Sequence, residues 1–266
     1  MAIRIWHQSF TVLSDLEAYD AALQEHFRRV SRPDTVIDMH GMREGTYRTN
    51  YPGDDIKHVG FQFLHSIQFM QGALLAERQG YDAYALSTLP EPGLREIRAL
   101  IDIPVVGYGE CAARAAGRNG RKFGALVFIP ELAELYSDNI HRHGLGGQLV
   151  GARDVGFRFT DVLAAFDRPG PLIDQFRDAA RRLIAAGAQA IVPGEAPLNV
   201  LLAMNGVTEV DGAEIIDSLG AWVRTAEAEV ELHRTGRAEV GSGYFGAIPD
   251  PVRRDEILAF YGLKPI

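Results

Sequence analysis

Short apolar, β-prone segments alternate with longer stretches of helical apolar spacing along nearly all of the 266 residues, and this alternation leaves few folds open. Ala2 to Trp6 reads as a strand and Asp15 to Val30 as a helix; Thr35 to Met39 is a second strand. A polar stretch, Gly41 to Asp55, is too long for a tight turn and reads as a lid or a substrate loop. A helix over Val59 to Gln79 is stopped by Gly80, and Tyr81 to Leu86 is a strand ending at Ser87-Thr88. A further helix begins near Pro92, and Ile103 to Gly107 is a strand leading through Glu110-Cys111-Ala112 into another helix. After Gly120 the pattern restarts: strand Phe123 to Ile129, helix Glu131 to Arg142, strand Gln148 to Val155, helix Pro171 to Ala186 and strand Ala190 to Val192. A helix over Ala213 to Arg234 and a tail, Gly241 to Ile266, with a short helix from about Pro251, complete the chain. The expected class is α/β, with parallel strands and helices on the sheet faces.

A pseudo-repeat divides this pattern into two lobes. GYDAYALSTLPEPGL places Thr88 eight residues after the helix-ending Gly80, and GAQAIVPGEAPLNVLL places Glu195 eight residues after Gly187. Two βα units on one template put Thr88 and Glu195 at equivalent strand ends. Ligands of open α/β sheets sit outside the carboxyl ends of the strands, so the two positions are expected to face one cleft. The expected lobes are residues 1–115 with 213–266, and residues 116–212, the helix near 213–235 returning to the first.

Composition excludes several classes. The net charge of −8 is spread over short stretches, which argues against a nucleic-acid partner. No apolar run reaches the roughly 18–20 residues of a membrane span, and MAIRIWHQSF has no signal-peptide layout, so a cytoplasmic protein with no membrane partner is expected. The single cysteine, Cys111, forms no internal disulfide and supplies no multi-cysteine zinc site.

Glu195, between Pro193-Gly194 and Ala196-Pro197, belongs on a strand-to-helix turn. There a carboxylate either caps the helix or, raised in pKa by burial, serves as a general base. Thr88 is no comparable base; with Ser87 and the amides that follow it can hold a carboxylate or an oxyanion, or simply cap the next helix. Cys111 follows Glu110 at a helix start, which can activate a thiol, but a lone cysteine is more often a packing residue. His141 and His143 suit a helix C-terminus better than a metal site, and no metal is expected. The Gly107-x-Gly109 and Gly144-Leu-Gly-Gly stretches match neither dinucleotide nor P-loop fingerprints.

The stretches IRIWHQSF, YDAYALSTLPEPGL, IPVVGYGECAARAA, GRKFGALV and GAQAIVPGEAPL together resemble the aspartate/glutamate/hydantoin racemase superfamily, especially its hydantoin-racemase-like branch. The resemblance spans nearly the whole chain and implies two pseudo-symmetric parallel-sheet lobes with an interlobe active site. Superfamily members move a proton between two cysteine thiols on opposite faces of a carbon, without a cofactor. Here those positions fall on Thr88 and Glu195, so both thiols are missing. The implied activity is a cofactor-independent isomerase acting on a small carboxylate or cyclic amide, with Glu195 and Thr88 as catalytic residues and Glu195 as general acid/base. The alternatives are a hydrolase or lyase in which Glu195 activates water or assists cleavage, and a small-ligand binder without turnover. The resemblance further implies substrate contacts at His7, Gln8 and Ser9, at Ser87 and at Ala196; His7 is a second acid–base candidate or a satisfied loop histidine. Homo-oligomerisation stays open.

Overall fold

A computed structural model describes residues 2–49, 51–236 and 243–263. Gly241, Ser242 and residues 264–266 of the expected tail, and Asn50 of the polar loop, lie outside the described residues. Two separate sheets account for the alternation. The first contains β1 (Ile3–Gln8), β2 (Thr35–His40), β3 (Ala83–Leu86) and β4 (Val105–Gly107) in the order β2-β1-β3-β4, all parallel. The second contains β5 (Phe123–Val127), β6 (Leu149–Asp154), β7 (Ala190–Pro193), β8 (Glu209–Val210) and β9 (Ala213–Ile215) in the order β6-β5-β7-β9-β8. Every residue of β3, β5 and β7 is buried, as expected of central parallel strands covered on both faces.

The helices follow the same plan. In the first half these are α1 (Glu17–Val30), the single turn α2 (Gly53–Ile56), α3 (Val59–Arg78), α4 (Leu94–Arg98) and α5 (Tyr108–Ala116). The second half has α6 (Leu132–Arg142), α7 (Phe159–Ala165), α8 (Gly170–Ala185) and α9 (Ala196–Met204), followed by α10 (Ser218–Arg234) and α11 (Pro251–Phe260).

The two lobes repeat each other down to individual backbone hydrogen bonds. Gly80 and Gly187 both take positive φ, +72° and +102°, as they end α3 and α8. The Tyr81 N–H then donates to Ala76 O, and the Ala188 N–H to Leu183 O. Asp82 N–H donates to Arg4 O as Gln189 N–H does to Lys122 O, both at 2.8 Å. Ser87 N–H donates to Gln8 O as Gly194 N–H does to Leu126 O, again both at 2.8 Å. The template therefore equates Thr88 with Glu195, and Phe10 and Thr11 with Phe128 and Ile129.

Two local features differ from the sequence expectation. The stretch from Ala213 opens as a strand: Asp211 and Gly212 both have positive φ, +48° and +82°, and turn β8 back onto β9 as a hairpin. β9 pairs in parallel with β7, so the second sheet extends past residue 212. The helix starts only at Ser218, where the Asp217 carboxylate accepts from Gly220 N–H at 3.0 Å. The second is α7, a seven-residue helix between β6 and α8 that begins with a reciprocal Arg158–Asp161 cap.

α10 crosses back to the first lobe. Its Trp222, fully buried, stacks on Phe27 of α1 with centroids 5.5 Å apart. One turn further on, the buried Glu227 carboxylate accepts from Arg32 N–H at 2.8 Å and from the Thr35 hydroxyl at 2.6 Å, fixing the turn that aims β2. Glu227→Ala removes the buried acceptor that these two donors share. Equilibrium denaturation should show a loss of about 1.5–3 kcal/mol, the range for hydrogen bonds to a charged group. A variant as stable as the parent would mean the α10 contact is incidental.

Candidate active site

The parallel order of both sheets delivers the carboxyl ends of β1, β3, β5 and β7 to one place between the lobes. A cavity of about 50 Å³ lies there, lined from the first lobe by Ser9, Phe10, Thr11, Ser87 and Thr88, and from the second by Phe128, Ile129, Glu195 and Ala196. Thr88 and Glu195, at equivalent positions of the two templates, thus border the same space. Ser87, Ser9 and Ala196 join them.

Glu195 is the residue before α9, yet its side chain makes no cap bond to that helix. It reaches instead to the turn after β5. Phe128 N–H donates to both carboxylate oxygens, at 3.1 and 3.2 Å, and Ile129 N–H donates to Oε1 at 3.2 Å. Gly194 allows this approach, because a Cβ there would press on Val127 and the Leu126 carbonyl. Among the described residues no cation pairs with this carboxylate. Burial penalises its ionised form more than the two amides favour it, and its pKa rises from 4.5 to about 8.

The first-lobe wall carries hydroxyls instead. Ser9 Oγ and Thr11 Oγ1 are 2.8 Å apart, and Thr11 N–H donates to Ser9 Oγ at 3.1 Å. Ser87 Oγ is buried with no hydrogen-bond partner among the described residues, an unfilled donor and acceptor in the cavity wall.

The polar loop after β2 forms the roof. Met42 N–H donates to Thr11 O at 2.9 Å, and the Tyr47 hydroxyl donates to Phe10 O at 2.7 Å, so the loop is tied to the end of β1. Its Tyr51, Pro52 and Ile56 line the cavity. The Tyr51 ring stacks on Phe159 of α7 at 5.0 Å, bridging the lobes, and burial together with Glu195 pushes its phenol up to about 12. Binding pockets for small molecules typically run to roughly 300–1,000 Å³, so this loop must lift from Phe159 to admit one. Tyr51, Phe159 and the Phe128 and Ile129 amides were not singled out from sequence. The signal for the amides was present, since they stand where the template puts Phe10 and Thr11.

His7 and Gln8 do not border the cavity. Side chains alternate along β1, and only Ser9, past the strand end, turns into the cleft. His7 points into the core beneath α1 and α10, with its ring 5.6 Å from Phe27 and 5.9 Å from Trp222. Burial, reinforced by His40, drives its pKa down to about 3, so it stays neutral. Gln8 faces α3 at Gly72 and accepts from Trp6 Nε1 at 3.1 Å.

A larger cavity, about 460 Å³, lies along the open edge of β4 and shares no residue with the first. Glu110 belongs to it. Burial disfavours the Glu110 carboxylate, but Arg98 and Arg114, at 2.8 and 2.7 Å, outweigh this and hold its pKa below the usual range. Cys111 also borders this cavity, and burial pushes its thiol up to about 12. His143 Nε2 meets the buried Glu91 carboxylate at 2.9 Å, and His141 Nδ1 lies 2.7 Å from Ser137 O. Among the described residues no group of three His, Cys, Asp or Glu side chains could hold a metal, and no helix is long and apolar enough to cross a membrane.

The Glu195 carboxyl makes stability depend on pH with a definite sign. Its folded pKa, about 8, lies above the ordinary 4.5, so the folded state holds the extra proton between these values. Stability should therefore fall as pH rises from about 4.5 to about 8 and level off beyond. Melting temperatures of Glu195→Gln and the parent, measured across that window, should diverge in favour of the glutamine variant as pH rises. Parallel curves would mean that Glu195 is not held protonated.

Comparison with known proteins agrees with this architecture. The model of the Asp/Glu/Hydantoin racemase family matches residues 17–226, from the start of α1 into α10. A hydantoin racemase of Pseudomonas sp. (strain NS671) is 26% identical over 158 residues, 59% of this chain and 61% of the relative. A second, from Rhizobium meliloti, is 27% identical over 161 residues, 57% of this chain and 61% of its own. The chain therefore aligns with less than two thirds of either relative's length. The structure of an allantoin racemase from Klebsiella pneumoniae superposes with a TM-score of 0.75 at 20% identity, covering 100% of both chains, and shares the two-lobed fold. Taken with the match from α1 into α10, these likenesses place the chain in the Asp/Glu/Hydantoin racemase family.

Proposed function

We propose that this chain is a cofactor-independent isomerase that moves a proton at a carbon acid, with Glu195 as general acid and base and an uncharged cyclic amide as substrate. The observation that carries the reading is the charge balance of the interlobe cavity. Among the described residues no lysine, arginine or histidine lines it, and the one carboxyl group among them is neutral below about pH 8. A carboxylate substrate would enter without a cation to replace its hydration, beside a carboxyl that becomes negative when it loses its proton; the desolvation cost is large. A neutral ring carries no such penalty. Hydantoin and allantoin, named in the relatives' descriptions, are rings of this kind.

A carboxylate with a pKa near 8 is a stronger base than an ordinary one and is still deprotonated often enough at neutral pH to act. It takes the proton from the carbon beside a ring carbonyl, and the electron pair moves onto the carbonyl oxygen. Ser87 and Thr88 supply hydroxyl donors for that developing oxyanion, while Phe10, Tyr51 and Phe159 exclude water once the roof closes.

Two kinetic outcomes follow. With a substituted hydantoin, kcat/KM should rise with pH to a plateau with a midpoint near 8, because the ionised form of Glu195 is the active base. Glu195→Gln should abolish that limb and lower turnover by about 10²–10⁴-fold, whereas Thr88→Ala should lose less, at or below roughly 10²-fold. Near-normal turnover by Glu195→Gln would return this residue to a structural role. Cys111→Ser should leave kcat and KM largely unchanged, since that thiol borders the other cavity. Loss of activity with the fold intact would overturn the thiol-free mechanism.

A further inference from the structure

The two halves of the cavity are built on one template but do not carry equivalent chemistry. On the second-lobe side the amides of Phe128 and Ile129 hold a carboxyl that gains and loses a proton near neutrality. On the first-lobe side the equivalent Thr11 amide is already taken by Ser9 Oγ, and the position equivalent to Glu195 is Thr88. The wall there consists of the hydroxyls of Ser9, Thr11, Ser87 and Thr88. An aliphatic hydroxyl donates a hydrogen bond but does not release a proton to carbon unless another group activates it. Among the described lining residues the remaining ionisable groups are the phenols of Tyr19 and Tyr51; burial raises both, so they keep their protons and are weaker acids than the Glu195 carboxyl.

We infer that proton transfer in this cavity is single-faced: Glu195 removes a hydrogen from one face of the substrate carbon and returns a proton to that same face, so the carbon exchanges without inverting. The inference rests on the proposed role of Glu195 and specifies its stereochemistry. The C–H bond breaks, its electron pair passes into the neighbouring carbonyl as an enolate, and Glu195 becomes the neutral acid. When the roof opens, that acid exchanges its proton with water. It then delivers one proton to the enolate from its own side, and the carbonyl reforms. No oxidant or co-reactant enters. Inversion requires a second acid on the first-lobe side, where the described residues supply only aliphatic hydroxyls and two phenols, weaker proton donors to carbon than the Glu195 carboxyl. The substrate class that such a site isomerises is therefore one whose proton moves between two atoms along one face of a ring, as in a tautomeric shift, rather than across it.

The test uses the full-length protein and one enantiomer of an isobutyl-substituted hydantoin in heavy water. Proton NMR follows loss of the carbon-bound hydrogen, and chiral chromatography follows configuration. Deuterium should accumulate while configuration persists, with exchange at least about tenfold faster than inversion, given that positioned acid–base catalysis contributes ~10²–10⁴-fold on the face that has it. Inversion in step with exchange would overturn the single-faced inference and leave the proton-transfer reading standing. Absence of both exchange and inversion would overturn that reading and the inference with it. Thr88→Cys supplies a thiol on the opposite wall and should raise the ratio of inversion to exchange by about tenfold or more, while Thr88→Ser should not. An unchanged ratio in a folded Thr88→Cys protein would mean that this wall does not face the substrate carbon.

Discussion

The structure of the cleft depends on a carboxyl group buried without a cation. Among the described residues Glu195 is held by backbone amides, with no guanidinium, and backbone amides are less effective than a guanidinium at keeping a carboxylate ionised. The consequence is electrostatic and general. A group that alternates between neutral and charged near neutrality needs surroundings that favour neither form strongly, and an arginine at this place would fix it as an anion. A site balanced for a neutral acid is ill suited to an anionic guest.

Holding the carboxyl in this way requires the rest of the lobe. The Phe128 and Ile129 amides point at Glu195 only because β5 and β7 run parallel in fixed register and Gly194 lets the chains approach. The first lobe repeats this arrangement, with Ser87 N–H on Gln8 O matching Gly194 N–H on Leu126 O. A shared backbone thus presents two similar sockets, and the side chains distinguish them: one socket is filled by Glu195 and the other by a Ser9–Thr11 hydroxyl pair. Tyr51 stacked on Phe159 closes the space between them, so the apolar roof that raises the carboxyl pKa is also the element that must move for a ligand to enter.

Most of the fold was legible in the sequence because parallel strands buried on both faces read as apolar runs, and helices between them repeat at 3.6 residues. What was missed was short or ambiguous. The Asp211-Gly212 turn carries a hairpin signal, but β8 and β9 have only two and three residues, too few to show alternation before α10 begins. α7 contributes Phe159 to the cavity and is only seven residues long, beneath the length at which periodicity is persuasive. In the site, strand-end positions could be read from the Gly80 and Gly187 spacings, so Thr88, Glu195 and their neighbours were identifiable as residues bordering one space. Side-chain direction at the end of β1 was not: His7 and Gln8 lie within the strand and turn into packed layers on its two faces, whereas Ser9 lies past its end and borders the cavity. The repeat places Phe128 and Ile129 at the end of β5, but that their amides hold the Glu195 carboxylate shows only in the structure.

A carboxyl at position 195 is tied to more than its own turn. A thiol at position 195 is shorter than a glutamate and accepts hydrogen bonds weakly, so the Phe128 and Ile129 amides would lose the acceptor that now satisfies them. Buried donors left without a partner are costly, and in a cleft the natural replacement is an acceptor on the ligand. The Glu195 carboxylate fills that acceptor's place in the second lobe, while in the first Ser87 Oγ has no partner among the described residues. The two sockets therefore differ in chemistry, with a carboxyl in the second lobe and hydroxyls in the first. A pseudo-symmetric frame of this kind can divide binding and chemistry between its halves while the backbone geometry of each half stays the same.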